Sequence, residues 1–226
     1  MKFYTKYFPI IFGLIALAQL YSTFHPYTLD WLNYLSKPLI MISLLLWYVG
    51  SSSGKGDWYK AGIVAIVFSL FGDVFLMFQE DRPSFFMLGL GSFLIAHIAY
   101  ALAFSKALVV PEIPIIKKYP LVLAVFGIYG FWVFAQLRSN LHELELPVLI
   151  YMIAILVMGI AALNRFGRVS RKSFFLVMIG ALLFIASDSI IAFSKFSKPI
   201  EEAGFWIMLT YIIAQYFIVR GLRQPV

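Results

Sequence analysis

Eight apolar stretches, at about 7–24, 31–49, 60–79, 84–104, 119–137, 146–164, 173–194 and 203–220, take up most of this 226-residue chain. Each has the roughly 20 residues that an α-helix needs to cross about 30 Å of hydrocarbon. The connections between them are short and leave no room for a soluble domain. A composition that is 62% hydrophobic and 13% charged, with a mean hydropathy of +0.89, agrees. Soluble domains are far more polar. The expected fold is all-α, a polytopic transmembrane bundle of eight helices forming one integral membrane domain over 1–226. The first stretch has a signal-like start, with Lys2 and Lys6 ahead of it and "ALA" at 16–18. Its apolar run continues past that point to Phe24, so a retained helix is expected.

The net charge of +7 is not evenly placed. With alternate connections assigned to alternate sides, thirteen basic residues (Lys2, Lys6, Lys55, Lys60, Lys106, Lys117, Lys118, Arg165, Arg168, Arg171, Lys172, Arg220, Arg223) fall on one side. Four (Arg82, Arg138, Lys195, Lys198) fall on the other, beside Asp30, Glu80, Asp81, Glu143, Glu145, Glu201 and Glu202. This is a positive-inside asymmetry, with both termini expected to be cytoplasmic. The basic excess reports topology, and no nucleic-acid partner is expected. The expected location is a bacterial inner membrane. The chain has no cysteine, which excludes disulfides, thiolate catalysis and Cys-ligated metals. His25, His97 and His142 are scattered outside any metal-binding spacing, so no metal is expected. "GLGSFL" at 89–94 lies in an apolar stretch and lacks the lysine of a phosphate loop. No serine nucleophile elbow is present. "GSSSGKGD" at 50–57 and "VVPEIPIIKKYP" at 109–120 read as connectors.

Two of the apolar stretches carry an aspartate in their interior: Asp73 in "VFSLFGDVFLMF" and Asp188 in "LLFIASDSIIAF". The stretch after each has a matching pattern, "FLIAHIAY" at 93–100 and "LTYIIAQY" at 209–216, which pairs His97 with Gln215. The stretch before each has a proline near its outer end, Pro38 and Pro147. These correspondences suggest a four-plus-four internal repeat, with half-repeats 1–104 and 119–226. An even number of spans per half gives the two halves the same orientation.

At 1.5 Å per residue, Asp73 and Asp188 lie about 20 Å and 22 Å above the cytoplasmic ends of their spans, and Lys37 about 9 Å below the outer end of its own. All three then fall in one layer roughly 8–10 Å inside the outer boundary, which suggests one site opening toward the outer leaflet. A lipid chain would lie along an apolar lower cavity. An aspartate at that depth costs on the order of 2.5–3.5 kcal/mol to insert, so it normally marks a pathway or a catalytic site. The bland alternative is a staple between helices. Lys37 either snorkels to the surface or pairs with an aspartate or an anionic substrate group. Asn33, one turn earlier, extends its polar stripe. His97, one turn from Tyr100, counts as deeper than the aspartates, and no direct contact with them is expected. Tyr151, Tyr211, Gln215 and Gln19 read either as supporting groups or as glue between helices.

The ordered set "KPLIM" at 37–41, "GDVFLM" at 72–77, "FLIAHIAY" at 93–100, "GALLFIASDS" at 180–189 and "YIIAQ" at 211–215 resembles the lysoplasmalogenase (YhhN-like) family of multi-spanning membrane proteins. The resemblance covers nearly the whole chain. It implies hydrolysis of the vinyl-ether bond of a lysophospholipid substrate to a fatty aldehyde and a glycerophospho-base. It also implies that Asp73 and Asp188 are the catalytic pair, with Lys37, His97 and Gln215 at polar positions of the family's pattern. The chemistry suits two carboxylic groups. An enol ether is protonated at its β-carbon to an oxocarbenium ion, water adds, and the hemiacetal collapses. One group must hold a proton and one must activate water, and no cofactor is needed. Asp73, among apolar neighbours, leans toward the acid and Asp188, flanked by Ser187 and Ser189, toward the base; both assignments stay open. The alternative function is a proton- or cation-coupled transporter, for which paired aspartates and a repeat are equally natural.

Overall fold

The computed structural model of the chain describes residues 2–25, 28–51, 56–80 and 82–223. Lys55 and Asp81, two of the residues in the charge asymmetry, lie outside the described residues, as do 52–54 of the 50–57 connector. All regular structure among the described residues is helical: α1 (Lys2–Thr23), α2 (Asp30–Ser51), α3 (Asp57–Met77), α4 (Pro83–Lys106), α5 (Ile115–Lys118), α6 (Val122–Leu141), α7 (Glu145–Leu163), α8 (Arg171–Phe196) and α9 (Ala203–Arg223). Eight of these are long and coincide with the eight apolar stretches. The ninth, α5, is one turn inside the 109–120 connector, and a single 3-10 turn, His142–Leu144, joins α6 to α7.

Prolines and a cap adjust the ends. Pro83 opens α4 at the first helical position, where the missing N–H costs nothing. Pro120 holds back α6, which starts at Val122 rather than 119, because proline bars the residue before it from helical geometry. Ser170 caps α8 by accepting the Ser173 N–H at 3.3 Å.

Six stretches among the described residues are long and apolar enough to cross a membrane. One of them, 122–163, contains both α6 and α7, so the six account for seven helices. The first helix, α1, is not among them and joins the bundle against α2 and α9. Phe8 of α1 stacks on Trp47 of α2 at 4.2 Å, and Arg223 of α9 lies over the same Trp47 ring at 3.7 Å. These contacts gather the start of α1 and the ends of α2 and α9 at one end of the bundle. At the opposite end Phe24 meets Phe205 at 4.9 Å and Phe86 meets Phe196 at 6.0 Å.

The most intimate helix pairs are α3 with α4 and α8 with α9. Both depend on glycine, because helices in lipid associate through close backbone approach rather than the hydrophobic effect. A Cβ on Gly72 would lie 2.5 Å from the Phe93 ring, and one on Gly180 would lie 2.9 Å from the Ala214 carbonyl oxygen. The second clash is with backbone and has no cheap escape. Gly180→Ala should therefore destabilise the protein by about 1–3 kcal/mol. Gly91→Ala should be silent, since nothing lies within 4 Å of that position. Thermal unfolding of the two variants in the same detergent checks this. Gly91 is thus not part of the close-packed face, whereas Gly89, against Leu76, is.

At the end that holds the termini, Arg165 is 0% exposed. It donates to the Ala107 carbonyl at 3.0 Å and to Ser173 Oγ at 2.7 Å, and Ser173 passes a bond on to Gly221 O at 2.8 Å. Burial pulls its pKa down to about 10, opposed by Tyr48. Arg165 therefore stays charged at neutral pH and ties α4, α8 and α9 together.

Candidate active site

Asp73 sits beside the Gly72 contact, so the close α3–α4 pair carries it into the bundle, where it is 3% exposed. One carboxylate oxygen accepts the Tyr211 hydroxyl of α9 at 2.7 Å. One turn earlier, Ser69 accepts from Gln215 Nε2 at 3.1 Å, and Gln215 Oε1 accepts the Tyr100 hydroxyl at 2.6 Å. Gln215 and Tyr100 thus form a fully buried brace beneath Asp73 rather than a reactive surface. Tyr211 instead touches the carboxylate itself.

Asp188, on α8, accepts the Tyr151 hydroxyl of α7 at 2.5 Å. His97 Nε2 lies 3.6 Å from the same oxygen. This overturns the depth estimate that had separated His97 from the aspartates. The 26 residues of α8 exceed the 21 of α3 and α9, so segment ends are no common level from which to count. His97 is 0% exposed, and neither ring nitrogen has a hydrogen-bond partner among the described residues. Its ring is packed by Phe184 at 4.8 Å and Tyr151 at 5.1 Å. The two serines flanking Asp188 do not serve it. Ser187 donates to Ile207 O at 3.0 Å, and Ser189 donates to Ile185 O at 2.7 Å while bonded to the Tyr129 hydroxyl at 2.7 Å. The ground for reading Asp188 as the better solvated base is therefore gone.

Two cavities meet near these residues. One is a narrow apolar groove of ≈ 80 Å³ between α4, α6, α7 and α8, lined by Phe93, Val133, Ile155 and Ala192 among others, with Tyr151, Asp188 and Ser189 as its polar wall. The other is a polar cavity of ≈ 500 Å³ at the end away from the termini, which holds Asp30, Asn33, Lys37, Glu80 and Lys195. Leu76 and Ile191 line both and form the partition. The apolar space lies beside the polar one, not below it as expected, because its α6 and α7 residues come from the same half of the bundle, the one away from the start of α1 and the end of α9.

Lys37 and Asn33 face the polar cavity together, as their spacing predicts. Asn33 accepts from Gln19 Nε2 at 2.9 Å, and Gln19 Oε1 accepts from Ser36 at 2.7 Å, which fixes α1 on α2. Lys37 makes no ion pair within 4.0 Å among the described residues. Of the three ionisable groups expected in one layer, Lys37 lines the polar cavity and Asp188 the apolar groove, while Asp73 is not among the residues lining either.

The model of the YhhN family matches residues 32–222. This chain belongs to the YhhN family. As a YhhN-family member it is 29% identical over 201 residues to lysoplasmalogenase TMEM86B of Homo sapiens, covering 88% of this chain and 79% of that protein. It is 33% identical over 170 residues to lysoplasmalogenase TMEM86A of Bos taurus and 32% identical over 167 residues to TMEM86A of Homo sapiens, each covering 72% of this chain and 66% of the relative. No solved structure matches. With its apolar helices, this YhhN-family chain is an integral, multi-pass membrane protein.

Some site residues of the YhhN-family chain escaped the sequence reading. Ser69 was discoverable as the residue four before Asp73, on the same helix face. Lys195 stands seven residues beyond Asp188, and Asp30 seven before Lys37; that spacing places each two turns outward on the same face. Lys195 and Asp30 carry only a topological reading in the sequence, and Ser69 carries none. Tyr129 and the Leu76–Ile191 partition leave no signal of their own in the sequence.

Proposed function

We propose that this chain hydrolyses the vinyl-ether bond of a lysoplasmalogen, giving a fatty aldehyde and a glycerophospho-base, with Asp188 and Asp73 as the acid–base pair. The observation that carries this reading is the junction at Leu76 and Ile191, where a polar cavity meets an apolar groove beside the partly buried Asp188 carboxylate. A lysophospholipid has the same plan: a polar head, one ether link, one alkyl chain. Membership of a family whose relatives bear the name lysoplasmalogenase supports it further.

The roles follow from position. The β-carbon of the vinyl ether belongs to the chain side of the oxygen and enters the apolar groove. Asp188 lines that groove, so it delivers the proton to the β-carbon. Tyr151 holds the carboxyl in place, and His97 Nε2 lies 3.6 Å from the same oxygen. Protonation moves positive charge to the carbon–oxygen unit. Asp73, oriented by Tyr211, removes a proton from the water that adds to that carbon. As the hemiacetal collapses, the proton held by Asp73 passes to the glycerol oxygen as its C–O bond breaks. The hemiacetal hydroxyl proton returns to Asp188, so the alcohol and the aldehyde leave with both carboxyl groups reset. Water is the only co-reactant.

Purified protein in detergent should release fatty aldehyde from a lysoplasmalogen and leave the 1-alkyl ether analogue with a saturated link intact. Cleavage of both, or of neither, would reject the reading. Detergent removes compartments, so turnover there is chemistry and not transport.

A further inference from the structure

We propose that the polar cavity is a charge-reading head-group subsite, in which Lys37 binds the phosphate and the rim carboxylates of Asp30 and Glu80 bind the cationic end of a zwitterionic head group. This rests on the hydrolase reading above and adds residues and a selectivity to it. At ≈ 500 Å³ the cavity falls in the size range of small-ligand sites. Among the described residues the charged side chains lining it, Asp30, Lys37, Glu80 and Lys195, sum to zero, which suits a head group of zero net charge.

The vertical order of those charges matters more than their sum. Asp30 and Glu80 are exposed at the mouth, whereas Lys37 is half-buried, two helical turns further in. Two turns are about 10 Å of rise. Side chains on a helix lean toward its N-terminus. Since α2 begins at the mouth, the Lys37 ammonium leans back outward from its Cα, into the cavity below Asp30. Lys195 stays on the opposite wall, held by Gln79 Oε1 at 3.5 Å and over the Phe86 ring at 4.3 Å. From the mouth inward the cavity thus offers carboxylates and then an ammonium, with the Leu76–Ile191 partition in its wall and Asp188 in the groove on the other side. A lysolipid entering chain first presents an amine, a phosphate, the glycerol with its ether link, and the chain, in that same order. An anionic head group with no amine would set an uncharged free end against the two carboxylates and forgo the ion pairing that an amine makes there.

Equilibrium binding of two saturated 1-alkyl ether lysolipids with the same chain, one with an ethanolamine head and one with an anionic glycerol head, tests this on the purified full-length protein. Neither probe carries the bond that the proposed reaction cleaves. The wild-type protein should bind the ethanolamine lipid about tenfold more tightly, as two partly exposed charge contacts allow. Asp30→Asn with Glu80→Gln should abolish that preference, and Glu80→Lys should reverse it. Lys37→Met should weaken both probes by a similar factor. A wild type with no preference, or a double variant that keeps it, would overturn the subsite. Binding with the expected preference by a protein that releases no aldehyde would overturn the hydrolase reading and leave the subsite standing. Aldehyde release without head-group preference would do the reverse.

Discussion

Asp188→Asn and Asp73→Asn should each lower turnover by on the order of 10²-fold or more, since each removes a proton-transfer group from the reacting centre. Both changes keep shape and hydrogen-bonding capacity, so Tyr151 and Tyr211 keep their partners. If the aspartates only stapled helices, asparagine would serve nearly as well, because hydrogen bonds inside membranes average about 0.6 kcal/mol. The contrast between a large loss of turnover and an unchanged unfolding temperature therefore separates catalysis from packing. The double variant should lose far less than the product of the two single losses, because both groups act on one transition state. Single-turnover aldehyde release by the four proteins, each checked for folding, gives the result.

A second large effect is expected in the groove. Ala192 lies one turn beyond Asp188 on α8 and lines the apolar wall. Ala192→Phe should fill the groove and displace about three methylenes of the substrate chain, each worth about 0.8 kcal/mol. For a long-chain substrate, kcat/KM should fall by roughly 50-fold, whereas a substrate too short to pass Ala192 should be processed as before. Measuring kcat/KM over a chain-length series checks this. An equal loss at every length would mean that the chain lies elsewhere.

The helices were legible in the sequence because twenty apolar residues in a row have few alternatives in a chain this hydrophobic. Asp73, Asp188 and Lys37 were legible for the converse reason, as costly exceptions. What surrounds them was not. Tyr211 reaches Asp73 from 138 positions away and Tyr151 reaches Asp188 from 37, and which face of a helix turns to which neighbour is decided by packing at glycines such as Gly72 and Gly180. His97 was misplaced because rise per residue gives depth only when all helices begin at one level. The flanking serines misled in the same way: adjacent positions on a helix point about 100° apart, so Ser187 and Ser189 were never on the Asp188 face. The four-plus-four repeat is a proposal that gains support from the matching close pairs, α3 with α4 and α8 with α9, and from the cross-contacts of α4 with α7 and α2 with α9.

The acid–base account is tested most directly by the isotopic content of the aldehyde formed in D2O. Protonation at the β-carbon places one solvent-derived hydrogen on carbon 2 of the product. Released aldehyde, trapped at once to stop exchange, should therefore carry one deuterium at carbon 2 with wild-type protein. Aldehyde released with no deuterium at that carbon would contradict proton delivery by Asp188, and with it the central claim.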